Sequence, residues 1–163
     1  MRSFVDRNGR SWSVVINIGA VKRVRALCEL NLLELISVDE NGKTDSKTLD
    51  RLSGDIVLLV DVLYAVCKPE ADKLGITDEQ FGEAMSGDVI ESASRVLLDE
   101  VVDFFPEAKR RVFRKVLDAT RRFEEAGQAK LREFVESKAF DKLIESRMQT
   151  LNAIGSNVPE SSE

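Results

Sequence analysis

No histidine occurs among the 163 residues, so any chemistry would fall to two cysteines, 29 carboxylates and 24 basic side chains. That absence removes the commonest zinc ligand, the usual general base and the usual pH switch. It also excludes Ser-His-Asp and Cys-His sites. Cys28 and Cys67 sit in hydrophobic helical patterns rather than a Cys-x-x-Cys frame, the pattern of buried structural thiols. Asp99 and Asp103 fall one helical turn apart, a spacing that suits a shared cation or an acid/base pair. No opposing base or apolar pocket accompanies them in the pattern, which makes a solvated face the simpler expectation.

Gly42-Lys43-Thr44 follows the apolar run of residues 32–36 and precedes the hydrophobic stretch 56–60 with Asp61, an outline like that of a nucleotide hydrolase. It lacks the required chemistry. Ser37 stands where the phosphate loop needs glycine, and Asp39 and Glu40 would oppose phosphate. Too few residues separate Thr44 from Ile56 for a crossover helix. The sequence therefore predicts a protein without catalytic residues, metal or cofactor.

The elements that must carry these residues begin with an alternating segment. Trp12, Val14, Ile16 and Ile18 recur at period two, and Asn8-Gly9 precedes them, so a β-hairpin is expected over residues 1–18. Two registers compete. A two-residue turn pairs Val5 with Trp12; a three-residue loop with Gly9 left-handed pairs Phe4 with Trp12 and places both aromatics on the Val14 face. The second buries more apolar surface and is preferred.

From Gly19 the period becomes helical, with Val21, Val24, Leu27 and Cys28 inward and Lys22, Arg23 and Arg25 mostly outward, to an end near Asn31. Residues 32–36 are too few to classify, and 39–43 have loop chemistry. Leu49 and Leu52 mark a short helix. Asp55 caps a helix over 56–68 so apolar that burial on nearly all sides is expected, closed by Pro69. Thr77-x-x-Gln80 has capping-box spacing and opens a helix with Phe81 and Met85. Ser86 is the expected cap of the next, whose stripe is Val89, Ile90, Ala93, Leu97, Val101 and Phe104.

Pro106 then starts a helix with the stripe Val112, Phe113, Val116, Leu117, Thr120 and Phe123. Leu131, Phe134 and Val135 continue it, but Phe140, Leu143, Ile144, Met148 and Leu151 follow in a rotated phase. One straight helix cannot bury both stripes in one groove. Either the chain bends near residues 137–139 or it presents the second stripe to another molecule, and packing within the chain is preferred. The expected fold is mainly α: an N-terminal β-hairpin, a multi-helix bundle and a long C-terminal helical extension. It forms one domain over 1–154, with 155–163 a flexible tail.

The net charge of −5 conceals a division, since residues 70–105 sum to −8 and 106–132 to +5. Adjacent helices compensating each other's field explain it, as do separate docking faces. Arg110, Arg111 and Arg114 head the basic run, which could grip phosphates. The acidic total, the lack of a reading module and the core position expected for Phe113 and Phe123 argue against nucleic acid. No apolar run approaches a membrane span or a signal peptide, so a cytoplasmic protein is expected.

Residues 75–106, read with the N-terminal hairpin and the buried helix ending in Cys67-Lys68-Pro69, resemble the tail assembly chaperones of tailed bacteriophages. The resemblance is carried by Thr77, Asp78, Glu79, Phe81, Asp88, Val101, Phe104 and Phe105: a hydroxyl, acids, an aromatic, then an acid and an amphipathic helix ending in aromatics. The helical extension beyond Pro106 departs from that pattern. The resemblance implies a non-enzymatic protein of the host cytoplasm that binds the tape-measure protein and recruits tail-tube subunits. A virion structural or connector protein and a small nucleic-acid-binding regulator are the alternatives. The expected contacts are Phe140, Leu143, Ile144 and Met148, with Arg110, Arg111 and Arg114 as steering charge, and homo-oligomers would repeat the groove.

Overall fold

The computed structural model describes residues 2–35, 37–38 and 44–155. It shows a mainly helical chain: the hairpin β1 (Arg2–Val5) and β2 (Ser11–Val14), α1 (Ile18–Cys28), a 3-10 turn at Leu32–Glu34, the short strands β3 (Ser37–Val38) and β4 (Thr44–Asp45), then α2 (Lys47–Gly54), α3 (Ile56–Leu74), α4 (Asp78–Glu83), α5 (Asp88–Phe104), α6 (Glu107–Val135) and α7 (Lys138–Gly155). Two compact units divide it, residues 1–114 and 115–163. The loop expected over 39–43 and the tail beyond Gly155 lie outside the described residues.

The hairpin takes the three-residue loop. Phe4 pairs with Trp12, the Asp6 amide donates to Arg10 O at 2.8 Å, the Gly9 amide closes on Asp6 O at 3.0 Å, and Gly9 adopts φ +78°. Among the described residues, Asp6 is the one charged or polar residue that is buried, 4% exposed. Its Oδ1 accepts from the amides of Asn8 and Arg10 at 2.8 and 2.9 Å, and its Oδ2 from the indole Nε1 of Trp12 at 2.9 Å. A buried carboxylate is tolerable when its lone pairs are filled in this way. The strand ends at Val14 rather than at Ile18, because Asn17 caps α1 by accepting from the Ala20 amide. Ile18 is consequently exposed.

In the first unit α3 is the hub, touching α1, α2, α4, α5 and β2, while α5 also lies against β1. Phe81 joins the layers: its ring meets Trp12 at 4.9 Å, Tyr64 at 5.5 Å and Phe4 at 6.5 Å. The Phe4 and Trp12 contacts are edge-on, a packing that adds about 0.5–1.5 kcal/mol per pair beyond burial. The Thr77–Gln80 capping box is present and fixes the start of α4.

Several expectations need correction. Proline does not close α3, which runs through Pro69 to Leu74. A proline inside a helix leaves the carbonyl four residues earlier without a donor. Here Arg23 supplies it from α1: Nε donates to Ala65 O at 2.9 Å and Nη2 to Val66 O at 3.2 Å. Arg23 is therefore a structural side chain, not an outward one. The helix ends where Gly75 turns left-handed at φ +66°. At the other end Ile56 and Val57 are exposed, so α3 is not buried on nearly all sides, and Leu27 of α1 is exposed as well. The cap of α5 is Gly87 at φ +52°, with no side-chain bond from Ser86.

Candidate protein-interaction surface

The second unit is built from the later part of α6 and from α7. Arginines, glutamates and alanines favour a helix here whatever its surroundings. Glu136 and Ser137 interrupt the two helices: the Ser137 hydroxyl donates to Phe134 O at 2.6 Å, and Ser137 O accepts from the Phe140 amide at 3.0 Å to begin α7. The break falls where the apolar phase rotates. Phe134 and Phe140 meet edge to face across it at 5.7 Å.

Beyond that pair, α7 buries little of its stripe. Leu143 is 56% exposed, Ile144 45% and Met148 60%, while Phe140 is half-buried. On α6 the stripe is buried at Phe113 and Leu117, but Phe123 is 86% exposed, and Leu131, Phe134 and Val135 are exposed too. The placement of Phe123 in the core is thus corrected. Periodicity puts it on an apolar face, but among the described residues that face is covered at Phe113 and Leu117 and not at Phe123. One part of the case against nucleic acid falls with it; the acidic total stands.

The three arginines belong to the first unit and have local partners. Arg110 Nε donates to Phe105 O at 3.1 Å, closing the end of α5. Arg111 pairs with Glu107 one turn earlier. Arg114 joins a cluster in which Asp103 holds its Nη2 at 2.5 Å and Arg2 Nη2 at 2.8 Å, and Arg2 also reaches Glu100 at 3.2 Å. Burial opposes ionisation of Asp103, but the Arg2 hydrogen bond and the charges of Arg114 and Arg2 outweigh it and hold the carboxyl below its usual range. This pairing ties β1, α5 and α6 together and gives Asp103 a structural task.

Burial pushes the Cys67 thiol up to about 12, helped by Glu70 and opposed by Arg23, and pushes Cys28 up to about 11, helped by Asp61 and Asp78. Both thiols are free and poor nucleophiles at neutral pH. Among the described residues no three Cys, Asp or Glu side chains converge on a position for a metal ion, and no helix is long and apolar enough to cross a membrane.

Sequence reasoning missed one concavity. A cleft of about 400 Å³ lies between the 3-10 turn and the first turns of α6, lined by Leu33, Glu34, Ser37, Ala108, Lys109, Val112 and Phe113. Its walls come from segments that no local pattern brings together. No family model, curated protein or solved structure matches the chain.

Proposed function

We propose that this chain is a non-catalytic interaction protein that holds an apolar helical segment of a partner along α7, as a tail assembly chaperone of the phage type would hold the tape-measure protein. The observation that carries this is the uncovered row Leu143, Ile144 and Met148, with Phe140 at its head. Large apolar side chains spaced at three and four residues form the face that receives a partner helix in a groove. Such rows are seldom left to water without a binding role. The resemblance of residues 75–106 supplies the class of partner, and tail-tube subunits are the second partner it implies.

The test is a pull-down with a phage tape-measure protein, comparing wild type with the Leu143→Asp/Met148→Asp double variant. Each aspartate desolvates on docking, so capture is expected to fall by about tenfold or more while circular dichroism is unchanged. Undiminished capture by the folded variant overturns the assignment of these positions. A virion component would instead be found in purified particles. A nucleic-acid regulator would show binding that falls steeply with salt and is lost when Arg110, Arg111 and Arg114 become glutamate.

A further inference from the structure

The central helix α3 buries one side against its neighbours and turns the other outward. On that outer side Val57, Val60, Tyr64 and Lys68 recur at intervals of three and four, with Asp61 one turn after Val57. Val57 is 71% exposed and Asp61 is exposed, while Val60, Tyr64 and Lys68 are half-buried. Ile56 and, near the end of α1, Leu27 are exposed apolar side chains as well. Beyond the effect of burial, the charges of Asp61 and Asp78 both bear on the thiol of Cys28, the residue after Leu27. The end of α1, the second turn of α3 and the start of α4 therefore meet around one spot.

That spot is acidic and lacks a counter-charge. Desolvation lifts the Asp61 carboxyl above its usual range, and repulsion from Asp78 and Asp55 lifts it further. Among the described residues no lysine or arginine pairs with Asp55, Asp61 or Asp78. The nearest bases are committed elsewhere. Lys68 is held by Asp72 at 2.8 Å and stands over the Tyr64 ring, and Arg23 turns inward to the carbonyls of Ala65 and Val66.

We infer that the outer side of α3 docks a basic amphipathic helix of another protein, its apolar stripe along Val57, Val60 and Tyr64 and its lysines or arginines against Asp61 and Asp78. The spacing of the row is that of a face which receives a helix. Charge decides which helix. An incoming ammonium or guanidinium relieves the mutual repulsion of the carboxylates, whereas a nucleic acid or an anionic lipid surface meets like charge. A second copy presenting the same side would set Asp61 and Asp78 against themselves, which disfavours self-pairing. From Ile56 to Lys68 the side is about 18 Å long, the extent of a weak, reversible contact. It lies wholly within the first unit, and the inference does not rest on what the α7 row binds.

The test is fluorescence anisotropy of a labelled peptide of leucines and lysines at helical period, titrated with the full chain. The comparison peptide keeps the leucines and replaces every lysine with glutamate. The lysine peptide is expected to bind, less tightly as salt rises, and the glutamate peptide not to bind. Val57→Asp should lower affinity about tenfold or more with unchanged circular dichroism, since an aspartate in the first turn of a helix is favourable to it. Asp61→Lys should lower it about tenfold or more, and the Leu143→Asp/Met148→Asp variant should bind like wild type. Absence of binding, equal binding of the glutamate peptide, a folded Val57→Asp or Asp61→Lys variant that binds like wild type, or loss of binding in the Leu143→Asp/Met148→Asp variant each overturns the inference.

Discussion

Replacing Asp6 with alanine removes three hydrogen bonds at once, and they are not equivalent. The amides of Asn8 and Arg10 lie in the turn beside solvent and can be rehydrated when Oδ1 is gone. The Trp12 indole Nε1 cannot, because Trp12 has 0% exposure. Losing the two turn bonds removes about 1–1.5 kcal/mol each, and stranding a buried donor adds about 1–3 kcal/mol. The expected loss is roughly 3–6 kcal/mol, a large share of the roughly 5–15 kcal/mol that stabilises an ordinary domain. Asp6→Asn preserves one acceptor oxygen but turns an amide donor toward either the indole or the turn, and should lose about 1–3 kcal/mol. Trp12 is the only tryptophan, so its fluorescence during urea unfolding reports directly on the site, with far-ultraviolet circular dichroism as the global probe. An Asp6→Ala variant within about 1 kcal/mol of wild type, with unchanged denaturant dependence, would refute the reasoning and leave aromatic packing alone to close the hairpin.

Arg23→Ala should destabilise the first unit by about 1–3 kcal/mol, because Ala65 O then lacks both its helical donor and the guanidinium. In a Pro69→Ala background, where an amide returns at position 69, the same change should cost distinctly less; equal losses in a thermal-melt double-mutant cycle would show that the proline is not what Arg23 answers. Both thiols should resist alkylation at neutral pH and react fully once guanidinium unfolds the chain. Cys67, with the higher thiol pKa and the deeper burial, should be the slower of the two, and its rapid labelling in the folded protein would contradict that burial.

Residues close in sequence determined much of the fold. The alternation around Trp12 and the Asn8-Gly9 turn set the Phe4–Trp12 register, since turn geometry and one buried face leave a hairpin little choice. Asp55 and the Thr77–Gln80 box fixed two helix starts, because a cap is a contact between residues three apart. The rotated apolar phase after Val135 made a bend near Ser137 one of two expectations, and the helices break there. The exposed row of α7 was legible as a row, but whether it packed internally was not.

Tertiary structure decided everything that depends on a distant partner. Pro69 sits inside α3 because Arg23, on another helix, gives Ala65 O the donor that proline withholds. Asp6 is buried because the indole it faces comes from the opposite strand. Periodicity assigns Phe113 and Phe123 to the same stripe of α6, yet one is 5% exposed and the other 86%. The repeat of a helix states which side chains share a face; whether protein or water lies against that face is set by segments far away along the chain.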